Sequence, residues 1–258
     1  MGGAIRLSES IGVVVQQCTF TGNTSESLGG CLSGEYSSVD ISQCTFTDNS
    51  AVHTGGALYM VETTTMVEDC LFRENSAGRA GAIYHRNGPF TLAGSSFRNN
   101  TAREEAGGAV HVHSDLSDFE DCSFTNNHAA TSGGGLQISG STWNYTDFIR
   151  CEFTDNGAGT SGGAVYNQRS KLNLVECTLR NNAAGETGAG IYHVMYGNSE
   201  LVLESTAVCD NTPDQVEGSY TDAGDSCVGP DCRECGPPAE CPADITGDGE
   251  VAGADLTL

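Results

Sequence analysis

Residues 55–75 read GGALYMVETTTMVEDCLFREN, and the two ends of this stretch recur along most of the chain. One end is G-G-A-φ, in which φ is an apolar residue, and the other is C-x-F-x-x-N. The first motif begins, in identical or closely similar form, at Gly2, Gly29, Gly55, Ala80, Gly107, Gly133, Gly162 and Gly188. The second motif pairs Phe20 with Asn23, Phe46 with Asn49, Phe72 with Asn75, Phe97 with Asn100, Phe124 with Asn127 and Phe153 with Asn156, and Leu179/Asn182 and Val208/Asn211 continue it. The chain is therefore a tandem repeat with a period of about 26 residues.

The repeat predicts an all-β fold. Apolar and polar residues alternate, turn residues follow at regular intervals, and there is no helical period of about 3.6 residues. Leucine-rich repeats have a similar length, but their L-x-x-L-x-L pattern is absent. We therefore predict a right-handed parallel β-helix, or solenoid, of about eight coils over residues 1–211, with three short strands in each coil.

Alternation along each strand assigns the side chains to the inside or the outside. In C-x-F the Cys and the Phe lie two residues apart, so both point into the core. The recurring Asn is expected to form a ladder, in which each amide bonds to the coils above and below. The double glycines are interpreted as turn residues, because a phosphate-binding glycine loop would precede a helix and would occur once.

Composition excludes some function classes. The net charge of -23 and the pI near 4.3 disfavour a nucleic-acid partner. The sequence contains no run of about 18 apolar residues, so it predicts no membrane-spanning helix. Met1 is followed at once by the middle of a repeat unit. We expect the chain to be truncated at its start, so the missing signal peptide says little about compartment.

The paired motifs GGA[ILV] and FxxN resemble the repeats of the polymorphic outer membrane proteins of chlamydial surfaces. The resemblance covers residues 1 to about 211. It implies a right-handed β-helix passenger that is exposed at the cell surface and is often adhesive.

Residues 212–240 are predicted to be a Cys-containing linker. Cys227, Cys232, Cys235 and Cys241 lie close together in sequence, with Gly-Pro and Pro-Pro steps between them. A disulfide from Cys209 to Cys227 would close one loop. The alternative is a zinc site made from the four cysteines of the cluster, although only Cys232-x-x-Cys235 has zinc-ligand spacing.

Residues 241–258 contain a candidate calcium loop. Ca²⁺ prefers oxygen ligands at loop positions 1, 3, 5, 7 and 12, with Gly at position 6. The residues in that order are Asp244, Thr246, Asp248, Glu250 through its carbonyl, and Asp255, with Gly249 at the turn. The segment resembles one half of a type I dockerin, which implies secretion, bound calcium and a cohesin-like partner. An acidic turn without metal is the alternative.

The outer face offers a candidate binding strip rather than a recognised catalytic motif. The residue after each G-G-A-φ gives a predicted outward column of Arg6, Ser33, Tyr59, Tyr84, His111, Gln137, Tyr166 and Tyr192. No carboxylate pair of the kind that glycoside hydrolysis needs is marked by a motif. The tyrosines could stack on sugars, or they could pack on one another across coils.

Two further features break the regular pattern. The two repeats that are three residues longer carry aromatic residues at the same corner, Trp143 and Tyr145 in one and Tyr196 in the other. His111 and His113 share a strand face and precede several acidic residues, an arrangement that can hold a transition metal. Two exposed polar residues are the simpler interpretation.

These patterns favour an extracellular or cell-surface adhesion or carbohydrate-binding module, with a polysaccharide or surface glycan as its partner. The alternative is a pectate-lyase-like polysaccharide lyase or glycoside hydrolase, because one fold hosts both functions. A structural spacer within a larger surface protein is the third hypothesis.

Overall fold

The computed structural model describes residues 3–114, 116–140, 145–194 and 197–235. These residues form a parallel β-solenoid with three sheets of nine strands and one sheet of seven, in which every pair of neighbouring strands is parallel. Each coil contributes one strand to each of the first three sheets, so the sheets run along the length of the solenoid. The predicted all-β solenoid is confirmed. None of the described residues belongs to a helix that is long and apolar enough to cross a membrane.

The strands are short and recur at the period of the repeat. The first sheet contains Ile5–Ser8, Leu32–Glu35, Leu58–Val61, Ile83–Arg86, Val110–His113, Leu136–Ser139, Val165–Gln168, Ile191–Val194 and Val216–Glu217. The second contains Val13–Gln16, Ser38–Ser42, Thr64–Glu68, Phe90–Ala93, Ser117–Glu120, Tyr145–Ile149, Lys171–Val175, Glu200–Glu204 and Thr221–Gly224. The third contains Thr19–Thr21, Thr45–Thr47, Leu71–Arg73, Ser96–Arg98, Ser123–Thr125, Glu152–Thr154, Thr178–Arg180, Ala207–Cys209 and Cys227–Gly229. The fourth contains Thr24–Ser25, Ser50–Ala51, Ser76–Ala77, Thr101–Ala102, His128–Ala129, Gly157–Ala158 and Ala183–Ala184, and a 3₁₀ turn follows at Cys232–Cys235.

Identical side chains stack on one another in the core. The phenylalanines of the third sheet are in register, with ring centroids 4.6 to 5.0 Å apart and nearly parallel planes. This distance matches the strand spacing of about 4.8 Å, so each ring packs on its equivalents in both neighbouring coils. Leu179 and Val208 continue the column and are fully buried.

The asparagine ladder is also confirmed. Asn49, Asn75 and Asn100 are fully buried, and each donates its backbone N–H and its side-chain amide to the Oδ1 of the next asparagine at 3.0 Å. The same amide nitrogen of Asn75 also bonds to the carbonyl of Phe46 in the preceding coil at 3.0 Å. Gln215 ends the ladder, because its Oε1 accepts bonds from Asn211 at 3.1 and 2.8 Å.

The cysteine column is a second polar ladder. The Sγ of Cys70 accepts the backbone N–H of Cys44 at 3.4 Å and bonds to the carbonyl of Glu68 at 3.2 Å. Ser95 and Thr206 occupy the same column and accept the equivalent N–H groups at 3.0 and 3.1 Å. The column therefore needs a small side chain that both donates and accepts a hydrogen bond, and a thiol meets that need as a hydroxyl does.

The corners between strands use left-handed residues that are not glycine. Asp69 precedes Cys70 with φ at 51°, Glu74 precedes Asn75 with φ at 59°, and Tyr36 precedes Ser37 with φ at 51°. Each such residue bends the chain, and the small polar residue after it points inward. At Ser37 and Cys70 that side chain bonds to the carbonyl two residues earlier. The sequence predicts turns at the double glycines and does not mark these corners.

The two glycines of the repeat have different roles. Gly55 has φ at +70°, and Ala80 takes the equivalent position at 55°. A β-carbon on Gly56 would lie 2.0 Å from the carbonyl oxygen of Gly81. The first position therefore requires a left-handed turn, and the second requires close approach of neighbouring coils.

The solenoid continues into residues that the sequence analysis assigned to a linker. Val216–Glu217, Thr221–Gly224 and Cys227–Gly229 pair with the preceding strands as a ninth coil. Cys209 forms a disulfide with Cys232, so the predicted pairing of Cys209 with Cys227 is wrong. Cys227 is disulfide-bonded as well. The zinc alternative is therefore contradicted for Cys227 and Cys232, because a sulfur in a disulfide has no thiolate to offer a metal.

Replacing one ladder asparagine tests how much the column contributes. Asn100→Ala removes four side-chain bonds, two from Asn75, one to Phe72 and one to Asn127. We expect the free energy of unfolding, measured by urea denaturation, to fall by about 3 kcal/mol or more, since buried donors lose their acceptor. The control is the exposed Asn99→Gly, which suits its φ of 56° and should change stability by about 0.5 kcal/mol at most. Equal effects of the two changes would contradict a stabilising ladder.

Candidate functional site

The predicted outward column exists on the first sheet. Strand register aligns Tyr59 with Tyr84, Tyr84 with His111, and His111 with Gln137, and it then continues to Tyr166 and Tyr192. We call the six residues Tyr59, Tyr84, His111, Gln137, Tyr166 and Tyr192 the aromatic column. Arg6 and Ser33 precede it in the same register, and Glu217 follows it.

The column is more buried than an outward position predicts. Tyr84, His111 and Gln137 are only 7 to 8% exposed, and the other three tyrosines are half-buried. The cause is the first residue of each G-G-A-φ motif, four residues earlier, which is Ala80 before Tyr84 and glycine before the other five. A β-carbon on Gly107 would lie 2.8 Å from Cβ of His111, and one on Gly162 would lie 2.8 Å from Cβ of Tyr166. The turn before each strand thus forms a wall beside the column.

The tyrosines form two stacked pairs. The ring centroids of Tyr59 and Tyr84 are 5.4 Å apart, and those of Tyr166 and Tyr192 are 5.1 Å apart. Within each pair the two ring planes are inclined by 8° to each other. Tyr84 also contacts His111 edge to face at 5.4 Å. The packing alternative from the sequence is therefore what the structure contains. Tyr192 covers one face of Tyr166, and Gln137 lies one strand spacing away on the opposite side.

Two polar groups in the middle of the column lack hydrogen-bond partners. His111 Nδ1 and Gln137 Oε1 are buried and have no partner among the described residues. The amide nitrogen of Gln137 has only a long contact of 3.5 Å with Ser139 Oγ. Burial, followed by the charges of Arg79 and His113, lowers the pKa of His111 to about 3. His111 is therefore neutral at pH 7, and each unpaired buried group costs about 1–3 kcal/mol.

Several predicted site residues lie outside the described part of the chain. These are Trp143 and Tyr196 of the two insertions and all five calcium ligands, Asp244, Thr246, Asp248, Glu250 and Asp255. Tyr145 begins a strand of the second sheet, but its side chain is not among those described.

The second sheet brings together two carboxylates that no sequence motif marked. Asp118 and Asp147 are in register on neighbouring strands and project from the outer face. Partial burial, and then the Asp147 carboxylate, raises the pKa of Asp118 above its ordinary value. A depression of about 390 Å³ beside them is lined by Asp147, Asn173, Val202 and Glu204. The two aspartates are 29 positions apart in the sequence, one full lengthened coil, so no local motif marks the pair.

The other acidic and histidine candidates do not form a metal site in the described structure. Arg150 pairs with both Glu120 and Asp121, and the bond to Arg150 lowers the pKa of Asp121. In the ranges that the structure describes, one group of three possible ligands lies close together, namely Cys209, Asp210 and Cys232. Its two sulfurs are in a disulfide, and His111 and His113 belong to no such group.

Comparison with known families agrees with this architecture. A family model described as a right handed beta helix region matches residues 82–230, which is more than half of the chain. A model described as a Chlamydia polymorphic membrane protein repeat matches residues 43–60. No curated protein and no solved structure matched the chain.

The buried imidazole of His111 makes stability depend on pH. Because its pKa falls from about 6.5 in the unfolded chain to about 3 in the folded one, the unfolded state binds more protons between those values. Stability therefore falls as the pH drops below about 6.5. We expect the free energy of unfolding of His111→Phe, measured by urea denaturation, to rise relative to that of the unmodified chain by on the order of 3 kcal/mol when the pH is lowered from 7 to 4. His113→Phe is the matched control, since it removes an exposed imidazole from the same strand. A pH-independent difference for His111→Phe would contradict the expectation.

Proposed function

The chain belongs to the right-handed β-helix family, and we propose that it is a cell-surface or extracellular module that binds carbohydrate along its outer surface and acts in adhesion. The repeat match supports the location, because repeats of that kind are named for membrane proteins of Chlamydia. The aromatic column is the observation that carries the binding function.

The column has the chemistry of a sugar-binding strip. Aromatic rings offer apolar faces to the C–H groups of sugars, and hydroxyl and amide groups beside them offer hydrogen bonds. The six residues follow one line along the solenoid axis, over about 24 Å at a strand spacing of about 4.8 Å. A ligand of extended shape matches this strip better than a compact one does.

A glycan array with the full chain tests the proposal. We expect binding to at least one polysaccharide class, and we expect Tyr166→Ala to weaken that binding about tenfold, because Tyr166 is a partly exposed ring of the column. Tyr36→Ala is the control, since Tyr36 is 65% exposed and lies outside the column. Circular dichroism checks that the variants keep their fold. Binding that survives both Tyr84→Ala and Tyr166→Ala would remove the column from the proposal, and absence of glycan binding would favour the spacer hypothesis.

A lyase or hydrolase is the second candidate function, favoured by the Asp118–Asp147 pair. Glycoside cleavage uses two neighbouring carboxyl groups as acid and base, and here the pKa of Asp118 is raised while Asp147, on the next strand, lines a depression. Release of reducing ends or unsaturated products from a polysaccharide, abolished by Asp118→Asn, would establish this function in place of simple binding.

We also propose that residues 241–258 bind one Ca²⁺ and dock a cohesin-like partner. The support is the spacing of Asp244, Thr246, Asp248, Glu250 and Asp255 in the sequence.

Calorimetric titration of the full, chelator-treated chain with CaCl₂ tests the calcium loop. We expect saturable binding of one ion per chain that Asp248→Ala abolishes, because Asp248 supplies the ligand at position 5. Asp225→Ala serves as a control, since it removes an acidic residue outside the loop. Equal calcium binding by both variants would contradict the assignment.

A further inference from the structure

We infer that His111 and Gln137 form the polar centre of a site for a neutral oligosaccharide, with Tyr84 and Tyr166 at its two ends. The inference rests on the proposed carbohydrate-binding function and names the residues and the ligand class.

His111 Nδ1 and Gln137 Oε1 lack hydrogen-bond partners among the described residues. Buried polar groups in folded proteins are almost always hydrogen-bonded, so an exception calls for an explanation. Here two exceptions are adjacent, because His111 and Gln137 are in register on neighbouring strands, and both side chains are more than nine-tenths buried. Sugar hydroxyls both donate and accept, so one sugar ring can satisfy His111 Nδ1 and Gln137 Oε1 together.

Aromatic residues lie on both sides of this polar pair. Tyr84 lies one coil before His111, and Tyr166 lies one coil after Gln137. The distance from Tyr84 to Tyr166 along the axis is three strand spacings, or about 14 Å. A short oligosaccharide of that length, lying along the outer surface, would pass over both polar residues.

The charge of the protein favours a neutral ligand. The floor of the site is neutral at pH 7, while the chain as a whole carries a net charge of -23. A polyanionic glycan would be repelled by that field, and a neutral one would not be.

Access requires a small movement, because the two polar atoms are buried. The guanidinium of Arg79 is close enough to His111 to lower its pKa, and it forms an ion pair with Glu105. Both side chains of that pair are well exposed, at 37 and 51%. An exposed ion pair contributes little to stability, so a ligand can displace it at low cost.

Isothermal titration of the full chain with cellohexaose, xylohexaose and mannohexaose at pH 7 tests the site. The variants are Gln137→Met and His111→Phe, which keep the approximate shape of the side chain and remove the polar atoms. We expect at least tenfold weaker binding of the hexasaccharide that the unmodified chain prefers, with a Tm that is unchanged or higher, since an unsatisfied buried group is removed. Gln168→Met and His113→Phe are matched controls from the same sheet and should bind as the unmodified chain does.

The outcomes separate the two levels of the proposal. If the unmodified chain binds none of the three hexasaccharides, the carbohydrate-binding function itself fails for neutral glycans. If the unmodified chain binds one of them and both variants bind it with an affinity within twofold of the unmodified chain's, only the assignment of the site to His111 and Gln137 is overturned. Tighter binding of hexagalacturonate than of the neutral probes would overturn the ligand class. Should His111→Phe fail to fold, Gln137→Met decides the question.

Discussion

Every feature of this solenoid depends on the in-register stacking of parallel strands about 4.8 Å apart. Backbone hydrogen bonds run along the axis from coil to coil, so each side chain has its own equivalent above and below it. A buried position therefore favours a side chain that packs well on a copy of itself or on a residue of similar shape and polarity. Phenylalanine does so by ring stacking, and asparagine does so because its amide both donates and accepts.

The same constraint explains the cysteines. A position that must accept an N–H from one coil and donate to a carbonyl is filled equally by Cys70, Ser95 or Thr206. The free thiols of the column are thus architectural and need no redox or metal role. The disulfide of Cys209 with Cys232 is different, since it joins the eighth coil to the segment after the ninth.

Function is best sought where the stacking rule is broken. Charged residues cannot stack on their own kind inside, and the described acidic side chains lie on outer faces and corners, some of them paired with arginine. The aromatic column breaks the rule in its middle, where His111 and Gln137 interrupt two tyrosine pairs and leave polar atoms unsatisfied. The Asp118–Asp147 pair breaks it on the second sheet, because two like charges lie side by side.

The sequence by itself determined the fold, the phenylalanine and asparagine columns and the order of residues along the outer face. It could do so because a repeat converts sequence spacing directly into spatial register. The tertiary structure alone decided the left-handed corners at Asp69 and Glu74, the ninth coil and the partner of Cys209. It also decided the burial of His111 against Gly107 and the meeting of Asp118 with Asp147. The corners depend on the backbone conformation of each turn, which the repeat pattern does not specify. The disulfide, the burial and the carboxylate pair depend on contacts between residues that become neighbours only when the chain folds into coils.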